Sequence, residues 1–165
     1  MDQNTLQVNH PLKFEAAVEG DFAALASWFD NAHALQEWGG PALSLTRSPD
    51  DLMAQLHQSP DYSSYAIHQG NETIAFGQLL LVKERAHLAR LCVNPARRGE
   101  KLGLRLVNEL IQQAAKTINL KSASLFVYES NYVAIACYQK LGFVETVTPT
   151  GISKPERCKY MMKRC

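Results

Sequence analysis

Several common classes of protein are excluded by what this sequence lacks. It has no C-x-x-C pair: its four cysteines, Cys92, Cys137, Cys158 and Cys165, are scattered and lack the histidine spacing of a zinc site, which leaves free thiols and predicts no metal. Neither sign of charge dominates, with 17 Lys plus Arg against 16 Asp plus Glu. That balance removes any general attraction to nucleic acid or to an anionic membrane, so an anion site must be local. No apolar run approaches the length of a membrane span, and Met1-Asp2-Gln3-Asn4 is acidic and polar where a secretory signal needs a basic start and an apolar stretch. Neither G-x-x-x-x-G-K-[ST] nor G-x-G-x-x-G occurs, which argues against the two common nucleotide-binding α/β designs. Repeats, low-complexity tracts and linkers are also missing. A soluble chain in the reducing cytoplasm is expected, with no nucleic acid or membrane as partner.

What is present suffices for a core. The 165 residues, 46% of them apolar, suit a single domain spanning 1–165. Leu12 to Ala17 reads as a strand, and Asp21 as the N-cap of a helix over Phe22 to Phe29. Trp38-Gly39-Gly40-Pro41 reads as loop, because glycine and proline break either periodicity. Ser48-Pro49-Asp50-Asp51 opens a helix through about Gln58, with Pro49 in its first turn. Tyr65 to His68 and Thr73 to Val82 are predicted strands around a Gly70-Asn71 hairpin. Lys83-Glu84-Arg85-Ala86 reads as the next turn. His87 to Val93 is apolar on both faces apart from Arg90, the pattern of a strand in the middle of a sheet.

Leu102, Leu106, Leu110 and Ala114 recur every fourth residue and predict a long amphipathic helix. Ser122 to Tyr128 alternates as a strand, and Asn131 to Leu141 forms a helix ended by Gly142 in a Schellman turn, with Phe143 packing back on Tyr138. Phe143 to Val147 and Arg157 to Met162 complete the strands. The alternation of strands and helices describes an α/β sheet domain.

The chemistry concentrates in Val93-Asn94-Pro95-Ala96-Arg97-Arg98-Gly99-Glu100-Lys101-Leu102-Gly103, a strand end, a basic turn and a helix start. Free N–H groups at a helix N-terminus, its dipole and a nearby glycine make a phosphate cradle, to which Arg97, Arg98 and Lys101 add charge. A sharp turn with solvated basic residues is the plainer reading of the same segment.

Here the chain resembles the Gcn5-related N-acetyltransferase (GNAT) family. Val93-Asn94-Pro95 and Arg98-Gly99-Glu100-Lys101-Leu102-Gly103 follow the order of that family's fourth strand and Arg/Gln-x-x-Gly-x-Gly/Ala pyrophosphate loop. Asn131 to Phe143 is similar to its Asn-x-x-Ala-x-x-x-Tyr-x-x-x-Gly-Phe block. The motif-bearing core is 88–143. Lys101 departs from the pattern by standing where the loop has a glycine, so it either pairs with a phosphate or blocks the usual pose.

The resemblance implies a twisted, mixed, mostly antiparallel sheet of six to seven strands flanked by about four helices, with a splayed central strand pair. It implies acetyl-CoA as cosubstrate and acetyl transfer to a primary amine of a small molecule or protein by direct attack. A non-catalytic acyl-CoA sensor on the same fold is the alternative. Cofactor contacts fall on Leu91, Val93, Arg98, Gly99, Lys101, Leu102, Gly103, Leu104 and Asn131, although Asn131 also reads as a simple N-cap. Tyr138 matches the general acid that protonates the departing thiolate, or is a core aromatic. Tyr128, Tyr132 and Tyr160 stay unassigned. His87 is the candidate base, with an ordinary imidazole pKa suited to the task. Arg90, a charge in an apolar strand, must be paired or face a wet cavity. The acceptor would be chosen by Trp28 to Pro41 and Thr148 to Arg157, with Trp28 and Trp38 as walls or core and Glu37 or Asp30 drawing the amine. A monomer or homodimer is implied.

Overall fold

A computed structural model describes residues 10–58 and 61–165. The strand β1 (Leu12–Ala16) is followed by α1 (Glu19–Ser27), α2 (Ala32–Gly39) and α3 (Pro49–Leu56). Then come β2 (Tyr62–Gln69), β3 (Glu72–Val82), β4 (Arg85–Val93), a 3-10 turn (Pro95–Arg97) and α4 (Leu102–Thr117). The chain ends with β5 (Ser122–Tyr128), α5 (Tyr132–Lys140), β6 (Val144–Glu145) and β7 (Cys158–Arg164). Among the described residues the seven strands form one sheet in the order β1-β2-β3-β4-β5-β7-β6, antiparallel except for β4 and β5. This is the expected mixed α/β sheet, with β4 at its centre. The described residues include five α-helices where about four were expected. Met1 to Asn4, on which the argument against a secretory signal rested, lies outside the described residues.

The helix α4 joins the two parallel strands. Its apolar stripe, Leu102, Leu106, Val107, Leu110 and Ala114, is buried on one face of the sheet with Leu79, Leu88 and Leu125. Each such leucine contributes roughly 1.5–3 kcal/mol by leaving water. Gly77 of β3 allows this approach, since a Cβ there would come within 3.0 Å of Leu110 Cδ1 and Leu91 Cδ2. The other face is covered by α1, α2 and α3, whose Phe22, Leu25, Leu35, Leu52 and Leu56 gather around Phe76.

Three local expectations are corrected. The segment read as loop at Trp38-Gly39 is the last turn of α2, capped at its start by Asn31 Oδ1, which accepts from Ala34 N at 2.9 Å. Burial of Leu35 in the apolar cluster around Phe76 holds a helix too short and too glycine-rich to be legible by pattern. Asp21 is not an N-cap but lies inside the first turn of α1, where its carboxylate accepts from Val18 N at 2.8 Å. Arg85 and Ala86 belong to β4, so the turn before it is Lys83-Glu84 alone. The helix ending at Gly142 is as expected. Gly142 N donates to Gln139 O at 3.0 Å, Phe143 N to Tyr138 O at 3.0 Å, and Gly142 has φ 93°.

Asp21 ties together four elements. Its buried carboxylate also accepts from Thr73 Oγ1 of β3 at 2.7 Å and meets His68 Nε2 of β2 at 2.6 Å, while His68 Nδ1 faces Glu15 of β1 at 3.2 Å. Asp21→Ala should therefore lower stability by about 3 kcal/mol, because Thr73, His68 and the Val18 N–H lose a charged partner in a buried place. A urea titration checks this, and a midpoint shift worth under about 1 kcal/mol would mean that the cluster contributes little.

Candidate active site

The site begins with one extra residue in β4. Gln78 pairs with Ala89 and Phe76 with Cys92, so Arg90 and Leu91 together oppose Gly77. Arg90 takes a left-handed φ of 51° to make this bulge. A bulge bends its strand and increases the local twist. The parallel ladder between β4 and β5 ends at the Leu88–Leu125 pair, while β5 continues alongside β7 to Tyr128 and Cys158. From Ala89 to Val93, β4 pairs with no strand on that side among the described residues.

Two cavities flank the opening. One of about 570 Å³ lies toward α4 and α5 and is lined by Leu91, Val93, Arg98, Gly103, Asn131 and Tyr138, among others. The other, of about 380 Å³, lies toward α2 and includes Glu37, Trp38, Tyr62, His87, Arg90 and Phe126. Leu91, Asn131 and Tyr138 border both.

The first cavity runs to the basic turn. Asn94 Oδ1 accepts from Ala96 N at 3.0 Å and shapes the 3-10 turn, Gly99 has φ 85°, and Lys101 has φ 59°. Lys101 thus holds the left-handed backbone that glycine favours, with its side chain exposed and making no cap bond to α4. The first N–H groups of α4 consequently have no side-chain cap, and Gly103 leaves its backbone bare toward the cavity, since a Cβ there would meet only Val93 Cγ2, at 3.9 Å. A diphosphate fits this arrangement of uncapped N–H groups, exposed Arg98 and exposed Lys101. Arg97 does not add to it. Its guanidinium is bound by Glu72 at 2.9 Å, Glu100 at 2.8 Å and Gln69 at 2.6 Å.

The structure brings the other named residues to the opening unevenly. Gly99, Lys101, Leu102 and Leu104 lie outside the lining of the first cavity, and the Leu102 side chain is in the core. Asn131 caps α5, its Oδ1 accepting from Ala134 N at 3.2 Å, so the N-cap role is present at the junction of the cavities. The Tyr138 hydroxyl bonds to no described residue and is not sealed off, while its ring meets Phe143 edge-on at 6.1 Å. Burial, with a smaller effect of Cys137, raises the Tyr138 pKa, so the phenol stays protonated. His87 stands opposite Ser124 of β5, its Nδ1 3.0 Å from Ser124 Oγ. Burial first and Arg85 second push its pKa down to about 4, away from the ordinary value expected from sequence. Burial also pushes Cys92 up to about 12, with Arg98 opposing, and raises Cys137 and Cys158, so all three keep their protons.

Arg90 is held by neutral partners. Its Nε donates to Gly39 O, at the last residue of α2, at 3.2 Å, and its Nη1 to Gln78 Oε1 at 2.7 Å, while the guanidinium lies 5.7 Å from the centre of the Tyr62 ring. Of the acceptor-side residues, Glu37, Trp38, Gly40 and Pro41 line the second cavity, whereas Trp28 and Asp30 do not. Tyr62, Gln78 and Phe126 were not legible as site residues. The one signal was Gln78, a polar residue in an apolar strand.

Comparison with known proteins agrees with this geometry. The aminoglycoside N(6')-acetyltransferase type 1 of Klebsiella pneumoniae is 22% identical over 162 residues, covering 89% of this chain and 81% of that protein. The PaiA N-acetyltransferase of Thermoplasma acidophilum, solved with coenzyme A, superposes with TM-score 0.71 at 19% identity, covering 94% of this chain and 99% of the other. The spermidine N-acetyltransferase of Vibrio cholerae, solved with CoA and spermine, gives TM-score 0.70 at 19% identity and covers 93% and 95%. At these identities the structural likeness speaks for the fold alone. The family model of the acetyltransferase (GNAT) family matches residues 24–143, well over half of the chain and inclusive of the bulged strand, the basic turn and α5, and the chain belongs to that family.

Proposed function

We propose that this chain is a cytoplasmic, acetyl-CoA-dependent N-acetyltransferase whose acceptor is a primary amine of a small molecule. The observation that carries this reading is the meeting of the two cavities at Leu91, Asn131 and Tyr138. A donor entering from the α4 side and an acceptor from the α2 side would touch only there. The exposed side chain of Lys101 leaves the turn open, which weighs against a sensor whose phosphate loop is blocked.

Acetyl-CoA supplies an acetyl group activated as a thioester; the amine nitrogen bonds to its carbonyl carbon, the C–S bond breaks, and an amide and a CoA thiol result. The main chain of Leu91 to Val93, unpaired toward β5, offers N–H groups to the carbonyl oxygen as charge develops on it. Arg98, Lys101 and the uncapped start of α4 hold the diphosphate. Tyr138, protonated and at the junction, gives its proton to the departing sulfur. His87, neutral above about pH 4, takes the proton lost by the amine, directly or through water. Direct transfer is favoured over an acyl-enzyme because Cys92, Cys137 and Cys158, the thiols that line the cavities, have raised pKa values and are poor nucleophiles.

Tyr138→Phe should lower kcat roughly 100-fold with little change in acetyl-CoA affinity, as steady-state kinetics and isothermal titration would show; a wild-type rate removes Tyr138 from the chemistry. Gly103→Glu sets a carboxylate in the cavity beside Arg98 and should abolish the rise in Tm that acetyl-CoA gives the wild type, about 2.7 kcal/mol of stabilisation at 100 times Kd. If the shift persists, the diphosphate lies elsewhere. For His87 the sign follows from its depressed pKa: the proton-accepting form is complete above about pH 5 and is lost as pH falls through about 4. His87→Ala should thus cut kcat roughly tenfold while leaving the shape of the profile between about pH 6 and 8 as in the wild type. A neutral-range limb that vanishes in the variant would contradict the depressed value.

A further inference from the structure

The second cavity contains a cation with no counter-ion among the described residues. Arg90 projects from the bulge into the space walled by Trp38, Tyr62 and Phe126, and among the described residues it forms no ion pair. Its position is set by a neutral network. Gln78, fully buried, donates from Nε2 to Ser64 Oγ at 3.0 Å, which leaves its carbonyl to receive Arg90 Nη1. The Gly39 carbonyl at the C-terminus of α2 takes Nε, so the negative end of that helix offsets a part of the charge. Nη2 has no described partner and is not among the sealed polar atoms. A half-buried guanidinium oriented by buried groups, with one edge left open, is costly unless an anion completes it. The remaining charges in the lining are few. His87 is uncharged above about pH 4, and Glu37 lies at the rim with its side chain 63% exposed and bridged to His33. A polyamine or an aminoglycoside carries several positive charges and would meet one solvated carboxylate and a fixed cation.

We propose that the acceptor is an amino-carboxylate, a small molecule that carries a primary amine and a carboxylate together, with Arg90 binding the carboxylate and the amine directed to the junction at Tyr138. The cavity, about 380 Å³, suits a molecule the size of an amino acid or a dipeptide. The Nη1–Nη2 edge can take a carboxylate through parallel N–H···O bonds, a geometry that an ammonium on a lysine does not offer. The inference rests on the acetyltransferase reading above and assigns its acceptor class.

Thiol release from acetyl-CoA, measured on the full chain with matched amines, tests it: γ-aminobutyrate against butylamine, an L-amino acid against its amide, and spermidine and kanamycin as polycations. The carboxylate-bearing member of a pair should have a kcat/KM at least about tenfold above its match, with the difference in KM, and Arg90→Gln should bring that ratio near one. Arg90→Lys should restore only a part of it. The wild-type ratios test the proposal by themselves should a variant fail to fold. Turnover that favours the polycations, or that ignores the carboxylate, overturns the proposal and leaves the acetyltransferase reading standing. Acetyl-CoA binding in a thermal melt without turnover of any amine removes both.

Discussion

One additional residue in a central strand separates what the sheet would otherwise close. With Arg90 and Leu91 facing the single residue Gly77, β4 turns away from its parallel neighbour after Leu88, and a strand buried by α4 and α2 acquires a free main-chain edge. Unpaired backbone in the middle of a sheet is expensive, and it persists where a ligand can bond to it. The two cavities, the place of Tyr138 between them and the direction of Arg90 all depend on that parting. Gly77 is part of the same arrangement, because a Cβ there would press to 3.0 Å on Leu91 and Leu110 where they close over the bulge.

The bulge also divides the chemistry between two faces. On the α4 side, charges lie in an exposed turn, where Arg98 and Lys101 are solvated and Arg97 is already neutralised by carboxylates. A flexible diphosphate can be held there by main chain and by mobile cations. On the α2 side, the one inward cation is rigid, because buried Gln78 and the end of α2 fix its plane. A rigid guanidinium selects among ligands more strongly than a solvated lysine does, since it loses little freedom on binding and accepts few geometries. On the proposed reading, the α4 side is thus built for hold and the α2 side for discrimination.

Much of the fold was legible in the sequence. The apolar periodicity of Leu102 to Ala114, the alternation in Ser122 to Tyr128 and the glycine stop at Gly142 each follow from local chemistry, and each element stands where its pattern put it. The first helices were less legible. Asp21 looks like a cap by residue type, yet its carboxylate serves the first turn from inside and clamps β2 and β3, a role set by residues about fifty positions away. The helix α2 carries two glycines around its end and exists through the burial of Leu35 and Trp38 against Phe29 and Phe76. Short helices draw their stability from packing, which no local window contains.

By itself the sequence determined most of the order of strands and helices, α2 excepted, and the basic turn before α4, because each depends on neighbours a few positions apart. Tertiary structure decided the protonation and the company of the residues at the opening. His87 reads as a group titrating near neutrality, but burial beside Arg85 takes it down to about 4. Arg90 reads as a charge that must be paired or face a wet cavity, and packing decides between these: Gln78, Gly39 and Tyr62 receive it and leave one edge open in the second cavity. Desolvation and long-range partners arise only when distant segments pack, so the α2 side of the opening is written in the fold and hardly at all in the motifs.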